Sequence, residues 1–348
     1  MPTELDRSRK FSKEIIEYMQ GKGGILIVTH DNPDPDALAA AFALRHLIEV
    51  KAQKQAVIAY SGVVGRVENR ELINIFNIKT SRLEDLNLDD FGVVCMVDTQ
   101  PGTGNNTFPN DREVHIVIDH HPLRDQTKAC RIYDVREEYG AAATILYEYL
   151  ICQEVYVATK LATILYYAIK SETQDLGREW GPADKTAYQN LMQLSNNRLL
   201  FKITQAKVPA EYFTLFSRAI ENARQYGPVL VFNLYEVNTP ETIAEMADFL
   251  LRMQGIDYVL GIGRQDESAV LSFRTTSLEI LAGDILRTVV GDLGSAGGHG
   301  MTAGAQVKAM RGDTEQLRDF EMTMTKRLLM ALNLPSCKGK GLVVEDGE

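Results

Sequence analysis

The 348-residue sequence predicts an α/β protein of two domains: an N-terminal, mostly parallel sheet with helices on both faces, then a smaller C-terminal α/β domain. Three observations predict it. Short apolar runs alternate with longer helical patterns from residue 24 to about 190, as in a covered parallel sheet. Three of those runs end directly in histidine or aspartate. A polar break at Ser195-Asn196-Asn197 is followed by a second series of strands and helices.

Residues 1–23 read as a charged helix without the apolar core of a signal peptide. The run Gly24-Ile25-Leu26-Ile27-Val28-Thr29 is the first strand, followed by an Ala/Leu-rich helix near 36–50. Strands are expected near 55–60, 92–97 and 114–118, and helices near 140–151, 157–170 and 182–194. Residues 1–195 thus form the first domain, 196–215 a connection and 216–335 the second domain. The second domain begins with a helix near 209–226 that overlaps the connection, then a strand at 229–234. A helix at 240–253 has Thr239 as N-cap and Pro240 in its first turn. Strands at 258–264 and 270–274 flank a hairpin turn, Gln265-Asp266-Glu267-Ser268. A helix at 284–290, a strand at 306–310 and an amphipathic helix at 314–334 complete the domain. The tail, 336–348, mixes lysine, glycine and acids and is expected to be disordered.

Composition narrows the function. Hydrophobic content of 45% and charged content of 24% are those of an ordinary globular protein. A net charge of -10 provides no global positive field, so no long duplex nucleic acid is expected as partner. A nucleotide must be held by local positive groups or metal ions. No run approaches the roughly 18 apolar residues of a membrane span. Four cysteines, Cys95, Cys130, Cys152 and Cys337, lack metal-type spacing, and a cytoplasmic location with no membrane partner is expected. A homodimer is compatible with the sequence.

The strand ends carry the chemistry. The first run leads into His30-Asp31-Asn32-Pro33-Asp34-Pro35-Asp36, Gly92-Val93-Val94-Cys95-Met96-Val97 into Asp98, and Val114-His115-Ile116-Val117-Ile118 into Asp119-His120-His121. Asp and Pro are also ordinary turn and N-cap residues, so one such loop is weak. Three loops at the same end of parallel strands lie along one edge, where open α/β sheets bind ligands. Imidazoles with carboxylates suit an ion of the Mn²⁺/Mg²⁺ class.

The ordered set His30-x-x-x-Asp34-x-Asp36, Asp98 and Asp119-His120-His121 resembles the DHH phosphoesterases. That family includes RecJ-like exonucleases, nanoRNase/pAp phosphatases, cyclic-dinucleotide phosphodiesterases and manganese-dependent pyrophosphatases. Downstream, Gly297-Gly298-His299-Gly300-Met301-Thr302-Ala303-Gly304 resembles the glycine-histidine signature of the accompanying DHHA1 domain. The resemblance implies two Mn²⁺ ions, with Mg²⁺ an alternative. His30, Asp34 and Asp98 would hold one and Asp36, Asp98 and His120 the other. His121 would face substrate phosphate, and Asp119 would orient the histidine pair. The family usually supplies a further aspartate where Glu172 stands in Ala168-Ile169-Lys170-Ser171-Glu172-Thr173, and Asp175 is the alternative carboxylate. Ser272, Arg274, Gly297, Gly298 and His299 would bind substrate. The glycines would admit an anion to backbone N–H groups, and Arg274 would fork onto a phosphate.

The resemblance implies hydrolysis of short nucleotides (oligoribonucleotides, pAp, or linear or cyclic dinucleotides) in a cleft between the domains. The sequence is short and acidic and lacks the extra nucleic-acid-binding domain of RecJ-type nucleases, which favours a small substrate. The alternatives are a pyrophosphatase or exopolyphosphatase-type hydrolase and a non-catalytic nucleotide-binding regulatory module.

Overall fold

In a computed structural model, which describes residues 4–308, 314–335 and 337–343, the chain divides into two compact units, Met1–Ala206 and Lys207–Glu348. The first opens with α1 (Glu4–Met19), β1 (Gly24–Val28) and α2 (Pro35–Leu47), which runs on as one π turn, Ile48–Ala52. Then come β2 (Ala56–Tyr60), α3 (Val67–Phe76), β3 (Ser81–Arg82), β4 (Phe91–Val97), β5 (Ile116–Asp119) and β6 (Ile132–Val135). Four helices end the unit: α4 (Ala142–Cys152), α5 (Thr159–Glu172), α6 (Pro182–Leu194) and α7 (Asn197–Thr204). Sequence reading missed α3, β3 and β6. It placed α7 in the connection, yet Ile203 of α7 is buried in the first unit's core.

The six strands are all parallel, in the order β3-β2-β1-β4-β5-β6. The chain steps outward from β1 to β3, returns to β4, then steps outward the other way. The reversal falls between β1 and β4, where open sheets form a ligand crevice at the strand carboxyl ends. Right-handed crossovers send the connections of the two halves to opposite faces. On one face Ile25, Ile27, Cys95, Val97, Ile116 and Ile118 pack with residues of all seven helices. On the other, Leu26, Val28, Val94, Met96 and Val117 meet Leu83, Phe108 and Val114. The expected sheet is present, but this second face differs from expectation. Among the described residues it is covered by loops and the 3-10 turns Leu83–Asp85, Leu88–Asp90 and Asp125–Ala129, not by α-helices. The connection after β4, Pro101-Gly102-Thr103-Gly104-Asn105-Asn106, is made of turn formers that do not sustain a helix.

The second unit contains α8 (Ala210–Asn222), β7 (Arg224–Tyr226), β8 (Val229–Glu236), α9 (Glu241–Leu250), β9 (Tyr258–Gln265) and β10 (Ser268–Thr275). It continues with α10 (Ala282–Val290), β11 (Gly294–His299), β12 (Thr302–Val307), α11 (Thr314–Ala331) and β13 (Lys340–Gly341). Its seven-stranded mixed sheet has the order β11-β12-β10-β9-β8-β7-β13; only the β8–β9 pair, crossed by α9, is parallel. The expected hairpin pairs Gln265 with Ser268. Three expectations are corrected. The Thr239 side chain caps nothing among the described residues; Pro240 is the N-cap of α9, and Thr239 offers its carbonyl to Thr242 N at 3.1 Å. The strand expected at 306–310 begins earlier, as β12, and residues 309 and 310 lie outside the described set. Part of the expected tail is ordered, since β13 pairs with β7 through Lys340–Gln225 and Gly341–Arg224.

Candidate metal centre

His30 follows β1 with Nδ1 2.8 Å from the Asp31 carbonyl. That contact turns Nε2 toward two carboxylates, Asp34 Oδ1 at 3.7 Å and Asp98 Oδ2 at 3.6 Å. Asp34 is also the N-cap of α2, accepting from Ala37 N at 3.0 Å, so the turn role that the sequence allows this residue is present. Asp98 follows β4 at φ +58°, a left-handed conformation to which aspartate is better suited than most residues. Its amide N–H donates to Ile118 O at 3.0 Å.

Asp36 is buried, and its two oxygens accept from Ala142 N (2.7 Å) and Ala143 N (2.8 Å), the first amides of α4. That helix has no side-chain cap of its own, its N-cap being Ala141, so Asp36 supplies the anion that a helix N-terminus favours. His120 Nε2 lies 3.8 Å from Asp36 Oδ2 and 3.4 Å from Asp98 Oδ1, while its Nδ1 meets the Tyr139 carbonyl at 3.1 Å. Asp119 organises the pair. Its Oδ1 accepts from His120 N at 2.8 Å and lies 2.9 Å from His121 Nδ1, and its Oδ2 accepts from Gln100 Nε2 at 2.7 Å.

The charges are uncomfortable as they stand. Burial, Asp36 and Asp34 push the Asp98 carboxyl well above its ordinary range. Burial also pushes Asp36 up to about 7. Burial alone would lower His30, yet its hydrogen bond and charge contact with Asp34 carry it up to about 10. Burial would likewise lower His120 and His121, but neighbouring carboxylates hold both above the usual value. Asp34 and Asp119 are held down, against burial, by His30 and His121 respectively. Among the described residues no lysine or arginine pairs with Asp34, Asp36 or Asp98. Asp98 Oδ1 is buried without a hydrogen-bond partner. Among the described residues, two groups have ligand atoms within 4.8 Å of one another, His30/Asp34/Asp98 and Asp98/Asp119/His120/His121, and both contain Asp98. An orphaned carboxylate oxygen shared by two such groups fits a divalent cation and an oxygen/nitrogen donor set.

Glu172, the last residue of α5, is half-buried. Burial and Asp34 raise its pKa, and it also feels His120, His121 and His30, so its carboxylate faces the same cluster. Asp175 does not join it: its carboxylate is taken by Lys170 and by Tyr188 Oη at 2.7 Å.

The remaining expected residues lie in the second unit. Ser272 is buried on β10 opposite Gly304 and Gly261. Arg274 is not a solvated charge; its Nε donates to Asp248 Oδ1 at 2.8 Å and its Nη1 to Phe273 O at 3.0 Å. The glycine segment is a β-hairpin rather than an open cradle, with Gly297 opposite Gly304 and Gly298 opposite Ala303. Gly283 of α10 is needed for close packing against this hairpin: the Gly298 carbonyl oxygen lies 2.5 Å from where a Cβ on Gly283 would stand. The His299 backbone closes β11 opposite Thr302, and its side chain lies outside what the structure describes. Sequence reading missed Gln100, the Tyr139 carbonyl and the two α4 amides. Only the last left a signal, a helix beginning Ala141-Ala142-Ala143 with no capping side chain.

A parallel α/β sheet with a histidine–aspartate cluster at its switch point defines a protein with a candidate metal centre. The chain belongs to the DHH family: residues 24–169 match the DHH family N-terminal domain and residues 227–328 the DHHA1 domain. An uncharacterized protein of Methanocaldococcus jannaschii is 34% identical over 287 residues, 82% of this chain and 58% of the relative. A probable manganese-dependent inorganic pyrophosphatase of Enterococcus faecalis is 25% identical over 149 residues, 43% of this chain and 48% of that protein. The chain therefore spans about half the length of these curated relatives. An exopolyphosphatase-related protein from Bacteroides fragilis has the same fold, with a TM-score of 0.74 at 14% identity, covering 95% of this chain and 99% of that one. No described helix is long and apolar enough to cross a membrane.

Proposed function

We propose that this protein is a Mn²⁺-dependent hydrolase of phosphoester bonds in short nucleotides. The observation that carries the reading is the buried, unpartnered Asp98 Oδ1, shared by two potential ligand groups at the sheet's switch point. His30, Asp34 and Asp98 would hold one ion, and Asp36, Asp98 and His120 a second, with Glu172 beside them. When bound, the ions supply an activated water and neutralise charge on the attacked phosphate. The chain's own work is to hold the ligand side chains oriented toward one point. Tyr139 O fixes the His120 ring, leaving Nε2 as its ligand atom. Asp119 fixes His121, which is 29% exposed and so within reach of a substrate phosphate. In the second unit, Ser272, Arg274 and the β11–β12 hairpin are the candidate substrate contacts.

A second reading, hydrolysis of pyrophosphate or polyphosphate, draws support from the names of the Enterococcus and Bacteroides relatives. The DHHA1 domain favours the nucleotide reading. The test is hydrolysis with Mn²⁺ of pAp, a 5′-phosphorylated dinucleotide, a short RNA oligomer, cyclic di-AMP and pyrophosphate, with His120→Ala as control. Mononucleotide release that His120→Ala abolishes supports the proposal. Phosphate release from pyrophosphate alone selects the second reading. Stoichiometric nucleotide binding without turnover points to a regulatory module.

A further inference from the structure

The loop that follows Glu172 is held in an unusual way. Gln174, Asp175 and Leu176 have φ of +47°, +59° and +63°, a run of left-handed non-glycine residues that persists only where the surroundings over-determine it. Thr173 supplies part of that constraint. Its Oγ1 donates to Ile169 O at 2.6 Å and accepts from Leu176 N at 3.1 Å. Its carbonyl accepts from Gly177 N and Arg178 N, both at 2.9 Å. Asp175 supplies the rest. Its amide donates to Lys170 O at 2.9 Å, and its carboxylate is gripped by Lys170 of α5 and Tyr188 of α6. Tyr166 Oη donates to Tyr188 Oη at 3.0 Å. Two helices are thus clasped together one turn from the Glu172 carboxylate.

We propose that Asp175 is a positioning residue: the Lys170–Asp175–Tyr188 clasp fixes the end of α5 so that the Glu172 carboxylate is held at the metal centre. Glutamate has one more rotatable bond than the aspartate usual at this position in the family. Its reach is therefore useful only if the backbone beneath it is fixed. The proposal rests on the metal-centre reading above.

The test is Mn²⁺ binding to the metal-stripped full chain, read by loss of the free-ion EPR signal. Asp175→Ala, Tyr188→Phe, Lys170→Arg, Glu172→Gln and the double variant Glu172→Gln/Asp175→Ala are compared with wild type. Asp175→Ala is expected to weaken binding about tenfold or more, the scale seen when a partner of a metal ligand is lost. Its metal-free melting temperature is expected to stay at the wild-type value, because an exposed ion pair contributes little to global stability. Tyr188→Phe shows part of the loss, Lys170→Arg keeps wild-type affinity, and the double variant binds no more weakly than Glu172→Gln. Trp180, the chain's single tryptophan, lies in the same loop, and its fluorescence is expected to change in Asp175→Ala. Wild-type affinity in Asp175→Ala, or losses that add in the double variant, overturns the clasp alone. A markedly lowered melting temperature in Asp175→Ala also overturns it, assigning a general structural role. A wild-type chain that binds no Mn²⁺ overturns the metal-centre reading, and the clasp with it.

Discussion

Asp134 and Glu148 are buried carboxylates in the same unit as Asp36 and Asp98, and their surroundings treat them in opposite ways. Arg136, fully buried, donates Nη2 to Asp134 Oδ2 at 2.6 Å, Nη1 to Glu148 Oε2 at 2.8 Å and Nη2 to Ser8 Oγ at 2.8 Å. Tyr149 Oη donates to Asp134 at 2.7 Å, and Arg7 pairs with it at 2.8 Å. That network carries its own cations and is closed. Among the described residues, Asp36 accepts from two backbone amides, the His120 imidazole stands 3.8 Å from Asp36 and 3.4 Å from Asp98, and that Asp98 oxygen receives no hydrogen bond. A buried charge is tolerated when paired and expensive when not. The first arrangement stabilises a fold; the second is the candidate cation site. The two are joined, since Arg136 N donates to Asp119 O at 2.9 Å and Tyr139 O holds His120.

The largest expected effect breaks the closed side. Arg136→Met removes the central cation and leaves two buried carboxylates short of a partner, a loss of about 3–5 kcal/mol for a buried pair. Chemical denaturation checks it; a loss within ordinary surface-mutation scatter would mean that the network carries no net charge burden. Opening the other side has mixed signs. Asp98→Asn is expected to lower Mn²⁺-dependent hydrolysis by about 10²-fold or more, the scale of losing one preorganised charged group. The same variant, melted in EDTA, should be more stable than wild type, because the burial and like-charge cost on Asp98 is gone. A metal-free Asp98→Asn protein that melts lower than wild type would show Asp98 to be a structural residue.

This contrast explains what the sequence disclosed. Strand ends capped by His30, Asp98 and Asp119 were legible because apolar runs of period-free Val and Ile mark buried parallel strands, and their ends must share an edge. The partners of those residues were not. Gln100 and the Tyr139 carbonyl act through tertiary contacts that no local pattern announces. The short strands β3 and β6 have too few residues to show periodicity. The glycine segment has the sequence of an anion cradle because glycine permits one; strand pairing and the approach of α10 claim that freedom instead. Arg274 is expected from the sequence to fork onto a phosphate, and its ion pair with Asp248 is invisible without α9.

A pH series sharpens the comparison. Asp36, raised to about 7, and Asp98 and Glu172, also raised, bind protons more tightly folded than unfolded. So do His30, at about 10, His120 and His121. Groups whose folded pKa is raised stabilise the fold at low pH and lose that contribution as pH rises through the folded value. Asp34 and Asp119 are depressed, so their contribution is lost only in stronger acid, below the unfolded carboxylate range. From about pH 5 to 9 the metal-free centre therefore contributes less and less, while a divalent ion competes ever better against departing protons. The gap in melting temperature between Mn²⁺ and EDTA samples is expected to widen across that range. A gap independent of pH would sink the assignment of these residues as ligands.

The smallest effect belongs to the half-open case between these extremes. Arg274 and Asp248 are 11% and 25% exposed, so they are neither sealed like Arg136 nor left with an unbonded buried oxygen like Asp98. Asp248→Asn is expected to cost no more than about 1 kcal/mol, the scale of a weak ion pair, because Arg274 keeps its carbonyl contacts to Phe273 and Ala303. The kinetics carry more information than the melt. If Arg274 also meets a phosphate, Asp248→Asn lets the guanidinium wander and KM rises with kcat little changed, whereas a purely structural pair leaves KM at its wild-type value. Arg274→Lys separates the two further, since an ammonium can replace the charge but not the fork that holds Asp248 and a phosphate together. An unchanged KM in both variants would remove Arg274 from the substrate contacts and leave it as the second unit's counterpart of Arg136.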